Sequence, residues 1–261
     1  MSYKKQIVIM IGDVVGEPGL LALEALLPPL IEEHKATFVV VNGENVAEGF
    51  GITAVTLNRI LGAGADVVTS GNHIWEKREF YPTLDAESRI LRPANYPAGN
   101  AGHGSVMIEK AGLNWLVVNL QGRELMTPID CPFKTFDAIK QTAQTPLILV
   151  DFHAEVAKEK EALARYLDGR ASLVVGTHTH VQTADERILS KGTGCITDLG
   201  MTGVMESVIG MDKQICLDRA RTQILFRMEC AQGIGAVQGI VAGIDPETGK
   251  TLAIQRLSQK A

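Results

Sequence analysis

Short apolar runs alternate along this chain with segments whose apolar residues recur at helical spacing, and the runs end in the same few polar residue types. The run at 7–11 stops at Gly12-Asp13, that at 37–41 at Asn42-Gly43-Glu44-Asn45, and that at 67–69 at Ser70-Gly71-Asn72-His73. The run at 147–150 stops at Asp151-Phe152-His153, and that at 172–175 at Gly176-Thr177-His178-Thr179-His180. Continuous apolar runs of this length, bounded by turn residues, predict buried strands.

Helical patterns fill the intervals. Residues 19–27 carry Leu20, Leu23 and Leu27 at helical spacing, and Pro28-Pro29 interrupts them. Residues 53–61 place Val55, Leu57, Ile60 and Leu61 ahead of Gly62 and Gly64, which suit a helix end. Residues 155–166 predict a surface helix, with Lys158-Glu159-Lys160-Glu161 as its solvated face. The stretch 94–102 is loop by composition, and 114–118 reads as another strand. Near the end, 223–228, 236–242 and 252–257 read as strands, with Asp245-Pro246-Glu247-Thr248-Gly249 turning between the last two. Antiparallel strands are therefore expected to close an α/β fold. No repeat, linker or low-complexity tract appears, so one domain over 1–261 is the expectation.

Composition adds exclusions. Hydrophobic residues at 46% and charged residues at 21% are ordinary for a globular chain. A net charge of −5 argues against strong duplex nucleic-acid binding, although bound cations could reverse the local field for a small anionic substrate. Cys131, Cys195, Cys216 and Cys230 form no CxxC pair, which leaves buried free thiols rather than a zinc ribbon or redox motif. Met1-Ser2-Tyr3-Lys4-Lys5 leads into an apolar run too short for a signal segment. No stretch approaches membrane-spanning length. A cytoplasmic protein with no membrane partner is expected, and a homo-oligomer is left open.

The chemistry gathers at the strand ends. Asp13 in a Gly-bounded turn can present a carboxylate to a metal; alone it would read as an Asx-turn or helix cap. Glu44 offers a carboxylate able to bridge two cations, with the Asn45 amide oxygen beside it. Asn72-His73 follows a glycine that permits close backbone approach. His153 lies just beyond an apolar strand. His178 and His180, spaced i, i+2, can face one site only where the strand has given way to loop. Five strand ends carrying metal-compatible groups exceed what turn chemistry alone supplies. Asp151, Glu155 and Asp185 are near enough in sequence to orient imidazoles or to be plain surface carboxylates. His34 reads as a helix-end residue and His103 as an exposed loop residue.

The series Asp13, Glu44-Asn45, Gly71-Asn72-His73, His153 and Gly176-x-His178-x-His180 resembles the motifs of calcineurin-like metallophosphoesterases. Gly12-Asp13-Val14-Val15-Gly16, Asn42-Gly43-Glu44-Asn45, Ser70-Gly71-Asn72-His73-Ile74-Trp75, Asp151-Phe152-His153-Ala154-Glu155, residues 176–185 and Asp198-Leu199-Gly200-Met201-Thr202-Gly203 resemble its bacterial YmdB-like branch over nearly the whole chain. The resemblance implies two mixed β-sheets sandwiched between helices and a dinuclear metal centre. It implies hydrolysis of small phosphodiesters, with 2′,3′-cyclic nucleotides as the substrate class. It also implies that Asp13, Asn45 and His180 hold one metal, Asn72, His153 and His178 the other, and that Glu44 bridges. Val15 stands where the wider superfamily has histidine, and Glu44 where it has a bridging aspartate. A mixed oxygen and imidazole set without thiolate suits iron or manganese. The expected mechanism is in-line attack by a metal-generated hydroxide, with His73 as general acid or as a stabiliser of phosphoryl charge. Alternatives on the same residues are a phosphomonoesterase or protein phosphatase, or a regulatory RNA-associated protein with a chiefly structural metal site.

Overall fold

The computed structural model describes residues 5–261. Residues 1–4, on which the expectation of no signal segment partly rests, lie outside the described residues. In chain order, β1 (Gln6–Ile11) and a short β2 (Asp13–Val14) precede α1 (Gly16–His34), β3 (Phe38–Asn42), α2 (Ala54–Gly62), β4 (Val67–Thr69) and α3 (Tyr81–Ala86). Then come β5 (Ser105–Lys110), β6 (Leu113–Gln121), α4 (Pro132–Thr142), β7 (Ile148–His153), α5 (Ala157–Tyr166) and β8 (Leu173–Thr177). The order ends with β9 (Arg187–Ile188), β10 (Gly194–Ile196), β11 (Met201–Val204), α6 (Lys213–Thr222), β12 (Gly235–Ile244) and β13 (Thr251–Lys260).

The strands form two mixed sheets. One runs β2-β11-β12-β1-β3-β4, with β13 paired along β12; the other runs β5-β6-β7-β8-β10-β9. β1 is parallel to β3 and antiparallel to β12, while β7 lies parallel between β6 and β8. The sheets pack face to face through Val8, Met10, Phe38 and Val40 on one side and Trp115, Val117, Leu149 and Val175 on the other. Phe38 stacks on Trp115 with ring centroids 5.0 Å apart. The outer face of the first sheet is covered by Leu20, Leu23 and Leu27 of α1 and Leu57 and Ile60 of α2. The outer face of the second is covered by Phe136 of α4 and Leu163 of α5. This layering explains the apolar runs: central strands are buried on both faces, so they do not alternate. As expected, antiparallel β12 and β13 close the fold, joined through the turn in which Gly249 N–H bonds the Asp245 carbonyl at 2.8 Å.

Four local expectations need correction. α1 runs through Pro28-Pro29, both exposed, because buried Leu23, Leu26, Leu27 and Leu30 continue one stripe across them; tertiary packing there outweighs the two lost helix donors. Residues 223–228 are irregular and mostly exposed rather than a strand. The solvated face expected at Lys158–Glu161 is half wrong: Glu159 and Lys160 are buried. Finally, Cys195 is buried, but Cys131, Cys216 and Cys230 are only partly so.

Gly12 fixes how closely β1 approaches the segment after β10. A Cβ there would stand 2.1 Å from the Gly200 carbonyl oxygen and 2.8 Å from its carbon. Backbone on both sides leaves no flexible atom to yield. Gly12→Ala should destabilise the fold by about 1–3 kcal/mol, measured as a lowered urea midpoint; an unchanged midpoint would mean that residues 199–200 can retreat.

Candidate metal centre

The ends of β1, β3 and β4 meet those of β7 and β8, and the polar residues that terminate these strands converge there. Asp13 is fully buried in β2; its Oδ2 accepts the His178 backbone N–H at 3.3 Å. Its Oδ1 lies 3.8 Å from His153 Nδ1 and 4.0 Å from His180 Nε2. Glu44, just past β3, is turned inward by its own N–H, which donates to Asn42 Oδ1 at 3.1 Å. Glu44 Oε1 stands 3.0 Å from His153 Nε2, and Oε2 accepts the His73 backbone N–H at 3.2 Å. Close approach depends on Gly71, where a Cβ would lie 2.1 Å from His153 Cδ2 and 2.4 Å from Glu44 Oε2.

Strands β7 and β8 extend further than their apolar runs, so His153 is the last residue of β7 rather than a loop residue, opposite Thr177 in the ladder. His178 and His180 then leave the strand with φ of 103° and 63°. Such conformations are unfavourable for a non-glycine residue. They turn two imidazoles spaced i, i+2 towards the same centre. Glu44, His153 and His178 bring three ligand atoms within 4.8 Å of one another.

Each imidazole has one nitrogen outward and one inward. His180 Nδ1 meets the Ile209 carbonyl at 2.8 Å, an acceptor only, so that nitrogen carries the proton and Nε2 is free on the Asp13 side. His178 Nε2 pairs with Glu155 at 3.1 Å, leaving Nδ1 inward, 2.9 Å from His153 Nε2. His153 Nδ1 lies 2.9 Å from the Thr177 hydroxyl. The amide oxygens tell the same story. Asn45 gives its Nδ2 to the Gly49 carbonyl at 2.9 Å, while its Oδ1 has no partner among the described residues. Oδ1 of Asn72 and Oδ1 of Asp13 are likewise buried without a hydrogen bond. An unsatisfied buried polar atom costs about 1–3 kcal/mol, and each of these oxygens is of a type that can ligate a cation. Asp13, Glu44, Asn45, Asn72, His153, His178 and His180 could hold metal on these grounds.

The charges agree. Burial lifts the Asp13 carboxyl to about 6, against the pull of His180 and His153. Burial also pushes Glu44 upward, yet His153, by charge and hydrogen bond, outweighs it and holds Glu44 at about 2. Burial disfavours a cationic His153, but Glu44, Asp13 and Asp151 drive it up to about 9. Burial and the His153 charge push His178 down to about 3. A cation bound at His153 Nε2 must therefore displace a proton held by the same carboxylates.

Beneath the centre, Lys160 pairs with Asp198 at 2.7 Å, and Asp198 accepts the Thr179 hydroxyl at 2.8 Å, anchoring the loop between His178 and His180. Neither residue stood out in the sequence as a support; the buried lysine was hidden in a charged run. Of the three orienting carboxylates considered, Glu155 reaches His178 and Asp151 reaches Thr177, whereas Asp185 bonds Thr183, Thr197 and Arg187 instead. His34 ends α1 and His103 is an exposed loop residue, both away from the cluster.

His73 stands at the edge. Its Nδ1 is 3.2 Å from Glu76 Oε1, and its ring meets Phe50 edge-on at 5.0 Å. It lines a cleft of about 1220 Å³ with Phe50, Thr53, Thr56 and Met228, where Glu17, Glu48, Glu76, Glu79, Asp212 and Glu229 outnumber Lys77 and Arg227. Of the candidate residues, His73 is the one that lines this cleft.

Residues 9–257 match the family described as YmdB-like protein. The chain is 44% identical over 252 residues to the 2′,3′-cyclic-nucleotide 2′-phosphodiesterase of Bacillus subtilis (strain 168), across 96% of each. The crystal structure of a hypothetical protein from Thermus thermophilus superposes with a TM-score of 0.93 at 39% identity, covering 98% of this chain and 99% of that one. A crystal structure of a phosphatase from Mycoplasma pneumoniae gives 0.93 at 29% identity, covering 98% and 94%. No helix among the described residues is long and apolar enough to cross a membrane. With its two mixed sheets between helices and its matched length, this chain belongs to the YmdB-like protein family and has the calcineurin-like metallophosphoesterase fold.

Proposed function

We propose that residues 1–261 work as one metal-dependent phosphodiesterase domain that hydrolyses small phosphodiesters, with 2′,3′-cyclic nucleotides as the substrate class. The observation that carries this reading is the approach of ligand atoms of Glu44, His153 and His178 to within 4.8 Å of one another, next to Asp13, Asn45 and Asn72, each with a buried oxygen that makes no hydrogen bond. In this reading Asp13, Asn45 and His180 would hold one ion, Asn72, His153 and His178 would hold the other, and Glu44 would contribute to both. The donor set, oxygen and imidazole without thiolate, suits iron or manganese. Bound there, such a pair would supply Lewis acidity towards a phosphoryl oxygen and an attacking water near neutral pH.

The chain's own residues do the rest. Glu44 and Asp13 bring negative charge that offsets the cations. Gly71 keeps the floor of the site open. His73, facing the cleft and paired through Nδ1 with Glu76, presents its other nitrogen to a leaving alkoxide and donates a proton to it. The carboxylate-rich cleft favours a monoanionic cyclic diester over a dianionic monoester. The relative from Bacillus subtilis, whose name states that substrate class, supports the same choice.

The metal reading predicts close to two ions per chain by elemental analysis after manganese or iron loading; saturation at one would refute the pair. Glu44→Gln should weaken both sites together, whereas His153→Ala should weaken mainly one. Equal losses in the two variants would remove Glu44 from the bridging position.

His73→Ala should lower kcat by roughly 10²–10⁴-fold with metal content unchanged, because Glu44 is held by the backbone N–H of residue 73, which alanine keeps. The loss should shrink for a nitrophenolate leaving group, which needs no proton. Metal loss in the variant would instead make His73 a ligand or a support.

For substrate class, kcat/KM with a 2′,3′-cyclic nucleoside phosphate should exceed that with the corresponding monoester on one metal-loaded preparation. A clear preference for the monoester would replace the phosphodiesterase reading with a phosphatase.

A further inference from the structure

Of the three inward-facing imidazoles, two are held by groups whose role admits no ambiguity: a backbone carbonyl for His180 and a glutamate for His178. The holder of His153 is different. Thr177 presents a hydroxyl, which can donate or accept, so by itself it fixes neither the direction of the bond nor the nitrogen that carries the proton. Something beyond Thr177 has to decide.

The surroundings of Asp151 make that decision. Asp151 is buried in β7, and three donors converge on its carboxylate. Thr69 donates its hydroxyl to Oδ2 at 2.5 Å, Asn42 donates Nδ2 to the same oxygen at 2.9 Å, and Thr177 donates its hydroxyl to Oδ1 at 2.7 Å. The Asn42 amide is not free to turn over, because its Oδ1 already accepts the Glu44 N–H at 3.1 Å. Its Nδ2 also lies 3.4 Å from Thr177 Oγ1 and can only donate there. With its one proton spent on Asp151, the Thr177 oxygen is left as an acceptor. His153 Nδ1, 2.9 Å away, must then be the donor, which makes His153 Nε2, on the side of Glu44 and His178, the nitrogen that a cation takes in exchange for its proton.

We propose that Thr177 is a positioning residue, which passes the direction set by Asp151 to His153, keeps a proton on Nδ1 of that imidazole and so leaves Nε2 as the nitrogen that binds metal once its own proton is displaced. The proposal rests on the metal reading above and adds to it two residues, Thr177 and Asp151, that touch neither metal nor substrate. The ladder makes the relay constitutive: Thr177 stands directly opposite His153, and Asp151 opposite Val175, in parallel register. Orienting partners of this kind typically carry 10–100-fold in metal affinity.

The test uses the full-length chain and two substitutions that separate hydroxyl from shape. Thr177→Val keeps the volume and loses the hydroxyl; Thr177→Ser keeps the hydroxyl and loses the methyl. In equilibrium dialysis with manganese, the valine variant should bind one of the two ions about 10–100-fold more weakly, and the serine variant should return to within a few-fold of the parent. Valine binding like the parent, or serine failing as valine does, would overturn the relay and leave only packing. In the zinc-loaded parent, nitrogen-15 spectra of labelled histidine should show the slowly exchanging His153 proton on Nδ1. Finding Nδ1 unprotonated would overturn the proposal even if the valine variant does not fold. A parent chain that binds fewer than two ions would instead overturn the dimetal reading, so the two failures are distinguishable.

Discussion

Asp13 and Glu44 place two carboxylates at the junction of two sheets, fully buried, where their only ion-pair partners among the described residues are histidines. A buried anion needs a charge and hydrogen bonds to be tolerated. Here the compensation comes from the His153 imidazole and the backbone N–H groups of His73 and His178. Everything near the junction is arranged around that requirement. The glycine at position 71 admits the His153 ring, and the positive-φ histidines turn inward instead of continuing the strand.

Neither sheet could build this centre alone. The first supplies carboxylates and amides from β2 and from the segments after β3 and β4; the second supplies imidazoles from β7 and the loop after β8. The apolar seam between the sheets, from Val8 and Phe38 to Trp115 and Val175, therefore sets the distance between Glu44 and His153 as well as stabilising the fold. The buried Lys160–Asp198 pair extends the same control to the loop bearing His178 and His180, because Asp198 also takes the Thr179 hydroxyl. Rigid strands thus carry the groups whose spacing must be kept. His73 belongs to a 3-10 turn at the rim, half in the centre through its backbone and half in the cleft through its ring.

The sequence by itself determined a good deal. Apolar runs bounded by turn residues marked β1, β3, β4, β7 and β8, because strands buried on both faces need unbroken Val, Ile and Leu. The polar residues ending those runs include Asp13, Glu44, His153, His178 and His180, whose side chains approach one another, since a metal-compatible side chain at a strand end is a local feature that the sequence displays. What the sequence could not decide was anything set by partners distant along the chain. Pro28-Pro29 looked like a helix stop until the α1 stripe was seen packed on the first sheet, and Lys160 looked solvated because its partner Asp198 is 38 residues away. Residues 223–228 had strand composition but no neighbouring strand to pair with. The same reason hid Thr177: within Gly176-Thr177-His178-Thr179-His180 it looks like a spacer, and only the β7–β8 register sets its hydroxyl between Asp151 and His153. Local residue types fix which groups are available; the register and the sheet packing fix which of them meet, because hydrogen bonds and ion pairs act over a few ångströms of space regardless of separation in sequence.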